Sequence, residues 1–449
     1  MKNKVTGKYI KKIRRKLLGS TVGRRIRDNR IKSEKQLKAF RYKELKRYID
    51  RLDSEEAIAT MQQLFALNCK RIRKQNHARV AFVVYSSSEW QCERLYRLME
   101  KDDFYSPDII ISGFRAGDTE RVYKTTRKFF DSSKYKVKDV GYSDEDPGGY
   151  EELLDSYDIL VYASPYDSAL KPDYANAYQR KLNQLLIHIP YSVYIEDAPA
   201  KYSKTLITCA WMNICVTEYE KEYYKSFKMR GYNVHTCGYI KLDDYKAVKA
   251  DAEKIWKKCR EDSFKIILAP HFVNEKVGTF HKNYKWFYEY AKNHPETSWV
   301  LKPHPRMTKS DFFSSEEEYR KYLGAWDELP NASTRIMGSY YDLFATSDVM
   351  ILDSMSFVAE YQITGKPLLF LTGKEHNGMN RLGQALMEHI YKADGEDFST
   401  IESFITEIGR MDPMKEMRDE FRNKMFAVNI RSYASDRVMS VISEELKSK

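Results

Sequence analysis

The residues best suited to chemistry lie in Leu301-Lys302-Pro303-His304-Pro305-Arg306, where two cations flank a titratable imidazole. Each proline biases the residue before it toward an extended conformation, so the segment reads as a stiff strand end. In an extended chain Lys302, His304 and Arg306 alternate onto one side. Two positive charges and an imidazole on one side suit a diphosphate or a transferring phosphoryl group. The structural alternative is a solvated strand end whose histidine caps a carbonyl.

A second candidate is Ser347-Asp348-Val349-Met350-Ile351-Leu352-Asp353-Ser354-Met355-Ser356. An apolar strand ends at Asp353, and Ser354 or Ser356 can cap the helix that follows. Free N–H groups at such a helix start attract a phosphate, and Glu360 lies further along, where ribose hydroxyls could be met. An ordinary serine cap in an α/β protein is the plainer reading. A third candidate is Ala269-Pro270-His271-Phe272, which offers His271 as a phosphate or acceptor contact or as a turn histidine. In the first half, Ser86-Ser87-Ser88-Glu89-Trp90 and Glu196-Asp197 follow apolar runs in the same way, and the serines read best as helix caps. Neither a P-loop nor a G-x-G-x-x-G fingerprint is present. Metal-ligand spacing is absent too, so no metal and no cofactor are expected.

Elements must place these residues. Short apolar, β-branched runs at 80–85, 109–111, 159–162 and 214–216 read as buried parallel strands. Stretches 119–130 and 174–186 between them read as helices. After Gly238-Tyr239-Ile240-Lys241-Leu242-Asp243 a second series begins, with strands at 265–270, 299–302, 349–352 and 367–371. Tandem α/β series predict two Rossmann-like domains facing a cleft, with ligands beyond the carboxyl ends of the strands. The expected divisions are a basic helical segment 1–77, an acceptor domain 78–243, a nucleotide-donor domain 244–428 and a C-terminal helix 429–449.

The charge is uneven. Residues 1–50 hold 19 Lys/Arg and 4 Asp/Glu, so the net charge of +12 belongs to this segment and residues 51–449 are slightly acidic. Apolar Ile10, Ile13 and Leu17 recur at helical spacing among the basic residues. Residues 1–32 are therefore expected to meet an anionic membrane surface; a basic helix packed on the protein's own body is the alternative. No nucleic-acid motif accompanies the charge, and no nucleic-acid partner is expected. No spanning run and no secretory signal are read, and the six scattered cysteines match neither a disulfide framework nor a zinc site. The expected location is cytoplasmic, peripheral on the inner face of the cell membrane.

In order and spacing, residues 190–400 resemble the CDP-glycerol glycerophosphotransferase family, teichoic-acid-type primases and polymerases with a GT-B fold. Gly238-Tyr239-Ile240-Lys241-Leu242-Asp243 is similar to that family's Gly-x-Pro-Arg-x-Asp, and Ala269-Pro270 to its Ala-Pro-Thr-Trp. His304 falls where the family has a functional histidine. Asp353-Ser354-Met355-Ser356 resembles its Asp-Tyr-Ser-Ser donor motif, with Lys366-Pro367 after it. Its Trp-His-Gly-Thr segment is missing; Tyr194-Ile195-Glu196-Asp197 stands there, which implies Glu196 or Asp197 as an acidic base.

The resemblance implies a GT-B transferase moving a polyol phosphate, of glycerol- or ribitol-phosphate type, from a CDP-linked donor to a hydroxyl of a lipid-linked cell-surface glycan. His304, Glu196 and Asp197 are the expected catalytic residues. Lys302, Arg306, His271, Asp353, Ser354, Ser356 and Glu360 are the expected donor and phosphate ligands. Two alternatives stay open: a GT-B glycosyltransferase using a nucleotide sugar in capsule or surface polysaccharide synthesis, and a non-catalytic binding protein on a decayed transferase fold.

Overall fold

The computed structural model describes residues 40–111, 119–130, 134–138, 152–164, 177–199, 204–256, 262–272, 278–304, 307, 313–336, 339–373 and 378–447. The basic stretch 1–32 lies outside them. Two compact units result: the first takes the chain to Tyr191, then Ala198–Ile240 and everything from Ser432; the second takes Ser192–Asp197 and Lys241–Arg431.

The first unit is built on seven strands: β1 (Ala78–Val84), β2 (Tyr105–Ile111), β3 (Val137–Lys138), β4 (Ile159–Tyr162), β5 (Leu185–His188), β6 (Met212–Cys215) and β7 (Val234–Thr236). Their order is β3-β2-β1-β4-β5-β6-β7, and every pairing is parallel. Parallel strands need helices on both faces, which is why β1, β4, β5 and β6 are mostly apolar and buried almost throughout.

Helices α1 (Tyr42–Ile49) and α2 (Ser54–Gln75) are part of this core. Asn68 donates to the Leu182 carbonyl at 2.8 Å, and Arg71 pairs with Asp158 at 2.6 Å. Asp53 caps α2 by accepting the Glu56 N–H, so the helix begins where its sequence signal stands. Ser86 likewise accepts the Ser88 N–H, a capping role, as expected of the serines. The C-terminal helix Ala434–Lys447 returns to the same unit, where Asp436 takes Arg94 and Asp102 takes Lys447.

One element departs from expectation. The stretch 174–186 is not one helix: its described part holds a short 3₁₀ turn at Ala177–Gln179 and then β5. A short apolar run such as Leu185-Leu186-Ile187 carries no period that separates a buried strand from a buried helix. Strands β3 and β7 escaped notice because they are two and three residues long.

The second unit holds β8 (Phe264–Ala269), β9 (Thr297–Leu301), β10 (Ala332–Thr334), β11 (Val349–Leu352), β12 (Leu368–Thr372) and β13 (Tyr391–Asp394), all parallel, in the order β10-β9-β8-β11-β12-β13. Helices α3 (Phe280–Asn293), α4 (Tyr341–Thr346), α5 (Met355–Tyr361) and α6 (Arg381–Met387) follow β8, β10, β11 and β12. The order reverses at β8, with β9 on one side and β11 on the other. In doubly wound sheets the crossover helices diverge at such a reversal, and ligands bind beyond the strand ends there.

Candidate active site at the switch point

Strands β8 and β9 run in register to Leu268 and Leu301, and the pairing continues past both. Lys302 donates its N–H to the Leu268 carbonyl at 2.8 Å, and His304 to the Pro270 carbonyl at 3.0 Å. Pro303 falls between them, at a position whose N–H would have faced the β10 side, where that strand ends at Thr334. A proline there forfeits no sheet bond and stiffens the exit. The two strand ends thus bring His271 and His304 together, with ring centroids 4.8 Å apart. Phe272 stands 4.6 Å from each.

On the other side of the reversal, β11 runs directly into Asp353. Its buried carboxylate takes the His271 N–H at 2.7 Å on one oxygen. The other oxygen takes the Thr279 N–H at 2.8 Å, the Thr279 hydroxyl at 3.2 Å and the Phe280 N–H at 3.3 Å. Burial pushes this carboxyl above the usual carboxylate range, opposed by the donors around it. Asp353, an expected donor ligand, ties both ends of the 271–280 connection to β11. Gly395 permits the close packing of Thr279, since a Cβ there would lie 2.4 Å from the Thr279 Cβ.

Lys302 is buried, 6% exposed. Its ammonium lies 5.5 Å from the Tyr340 ring centre and 5.6 Å from that of Phe357, and among the described residues no carboxylate pairs with it directly. Burial, then the charges of Arg335 and Lys241, hold its pKa down to about 8, with Glu360 opposing. The Glu360 carboxylate is itself buried and engaged: Tyr340 donates its hydroxyl to it at 2.5 Å, and Lys241 approaches to 3.5 Å. Within the fold, Glu360, an expected donor ligand, balances part of a concentrated positive charge.

Ser354 is buried at the turn from β11 into α5, and Ser356 lies within α5. Arg306 lies outside the described residues. Glu196 and Asp197 belong to the second unit: Glu196 bridges Met379, and Asp197 donates its N–H to the Gly378 carbonyl at 2.8 Å. Asn380 clamps the same segment through the Tyr194 carbonyl at 2.7 Å. Gly383 in α6 is required here, because a Cβ would meet the Ile195 carbonyl oxygen at 2.3 Å. Glu196 is half-buried and Asp197 exposed. Both are thus tied to the β12–β13 connection, whereas His304 follows β9 on the other side of the switch point.

No protein-family model matches the chain, and no curated protein matches it. Solved structures do. UDP-GlcNAc 2-epimerase from Neisseria meningitidis, bound to UDP-GlcNAc, is similar at 15% identity and a TM-score of 0.57, over 82% of this chain and 99% of that one. A UDP-N-acetylglucosamine 2-epimerase from Listeria monocytogenes is similar at 14% identity and a TM-score of 0.57, over 83% and 97%. The wall teichoic acid polymerase TagF is similar at 15% identity and a TM-score of 0.55, over 87% and 94%. The fold is of the GT-B type. At these identities the likeness is one of fold alone.

Sequence reasoning missed Tyr340 and Phe357, which wall Lys302. It also missed the work of Lys366: its ammonium donates to the carbonyls of Phe344, Ala345 and Ser347 at 2.9, 2.7 and 2.5 Å, closing the end of α4. Only the lysine beside Pro367 signalled it. Among the described residues no three His, Cys, Asp or Glu side chains converge on a metal-sized site, and no helix is long and apolar enough to cross a membrane.

Proposed function

We propose that the chain transfers a polyol phosphate from a CDP-linked donor to a hydroxyl of a lipid-linked glycan. The observation that carries this reading is the buried Lys302 ammonium, without a directly paired carboxylate among the described residues, two residues before His304 at a GT-B switch point. A buried cation lacking a direct counter-charge is costly unless an anion arrives, and the donor's diphosphate is such an anion. The acceptor oxygen attacks the phosphorus that bears the polyol, the bond to the bridging oxygen breaks, and CMP leaves. Lys302 neutralises charge on the phosphoryl oxygens, and His304 takes the acceptor proton or hydrogen-bonds the transferring group. Asp353 and Glu360 act by holding His271, Lys241 and Tyr340 in place. The resemblance in motif order to CDP-glycerol glycerophosphotransferases and the fold likeness to TagF support a cytidine donor.

A second reading, a nucleotide-sugar enzyme, is favoured by the comparable fold likeness to 2-epimerases, one of them bound to UDP-GlcNAc. A thermal-shift panel separates them. Stabilisation by CDP and CMP over UDP and GDP is the expected result; selective stabilisation by UDP moves the chain to sugar chemistry. No response to any nucleotide favours a non-catalytic protein.

A further inference from the structure

We propose that His271 is a second catalytic imidazole, acting with His304 as one proton-sharing pair and filling the acid–base role first assigned to Glu196 or Asp197. This rests on the phosphotransfer reading and names the group that completes it.

Three observations point there. The rings stand 4.8 Å apart, a distance that puts both beside one phosphoryl group. Both are fixed through the backbone: His304 by its N–H on the Pro270 carbonyl, His271 by its N–H on the Asp353 carboxylate at 2.7 Å. They flank the β8 side of the reversal, whereas Glu196 and Asp197 are held by residues 378–380 beyond β12. Measured by strand order, β9 and β12 are three spacings apart, about 14 Å at the usual separation of parallel strands.

Two imidazoles this close do not readily carry a charge each, least of all with the Lys302 ammonium two residues from one of them and the Asp353 carboxylate bonded only to the backbone of the other. The reactive state in this proposal has one ring neutral and one charged. The neutral ring accepts the proton of the acceptor hydroxyl as its oxygen bonds to phosphorus. The charged ring hydrogen-bonds a non-bridging phosphoryl oxygen as the bond to the bridging oxygen breaks and its electron pair leaves with CMP. The accepted proton then passes to solvent, restoring the pair.

The test compares the full-length chain with His271→Asn, His304→Asn and the double variant, using a CDP-polyol and reading CMP release and CMP binding by calorimetry. Each single variant is expected to lose about 10²–10⁴-fold in turnover while CMP affinity changes less than about threefold. The double variant should fall little below the worse single one, as members of a working unit do. Added imidazole should restore part of the turnover of His271→Gly, which a purely structural histidine would not allow. Wild-type turnover in a folded His271→Asn, or single losses that multiply in the double variant, overturns the pairing. If asparagine prevents folding, absence of imidazole rescue in His271→Gly overturns it. Failure of the wild-type chain to release CMP from any CDP-polyol overturns the phosphotransfer reading itself.

Discussion

One carboxylate oxygen of Asp353 accepts the backbone N–H of His271 at 2.7 Å, joining the ends of β11 and β8 where the sheet order reverses. The other oxygen holds Thr279 and Phe280. Asp353→Ala leaves several buried N–H groups without an acceptor. It should lower stability by about 2–4 kcal/mol, since each charge-assisted bond contributes about 1.5–3 kcal/mol and water replaces some of them. Chemical denaturation checks the stability, and CMP release should fall with it because His271 is no longer fixed.

Lys302 makes donor binding depend on pH in a stated direction. Its native pKa, about 8, lies below the ordinary 10.5, so the native state gives up this proton before the unfolded chain does. The native state is therefore penalised below pH 8, and stability from this group rises as pH climbs from about 8 to 10.5. Lys302→Met should raise the unliganded melting point at pH 7, by an amount on the order of 2–3 kcal/mol in stability. The same variant should weaken CDP binding. Wild-type affinity should fall through pH 8 while that of the variant stays flat, which calorimetry across pH measures.

Glu360 supplies the counter-charge that keeps Lys302 protonated as far as pH 8. In Glu360→Gln, half-buried Lys241 and buried Lys302 lose their nearby counter-charge, a loss of about 3 kcal/mol. The pH at which CDP affinity drops should move down, because the lysine loses its proton sooner. Tyr340→Phe removes one hydrogen bond to that carboxylate and should have a smaller effect of the same sign.

Much of the second unit was legible because β8, β9, β11 and β12 are apolar runs bounded by Pro, Asp or Ser, and buried parallel strands demand such runs. The strand exit through Lys302 and His304 was legible for a related reason: Pro303 and Pro305 stiffen it. The partners of Asp353 were not, since they lie 73 to 82 residues away and nothing local distinguishes a ligand carboxylate from a structural one. The neighbours of Glu360 were hidden for the same reason, Lys241 and Tyr340 being 119 and 20 residues distant. The short edge strands β10 and β13 carry polar residues and no readable alternation over three or four positions.

The basic stretch 1–32 carries a separate prediction. Each Lys or Arg near an anionic surface contributes about 1 kcal/mol, and the attraction weakens with salt. Full-length protein should sediment with vesicles rich in phosphatidylserine or phosphatidylglycerol and be released as salt rises. A chain lacking residues 1–32 should stay in the supernatant; equal sedimentation of both forms would remove the segment from membrane binding.

Whether His304 and Lys302 serve phosphoryl transfer from a CDP-linked donor is decided by the identity of the released nucleotide. The purified chain is incubated with CDP-glycerol, CDP-ribitol or UDP-GlcNAc and a lipid-linked glycan acceptor, and products are resolved by chromatography and ³¹P NMR. CMP and a new phosphodiester are expected from a CDP-polyol, reduced about 10²–10⁴-fold in His304→Ala with CDP binding retained. Release of UDP from the sugar nucleotide, or CMP release that His304→Ala leaves intact, would contradict it.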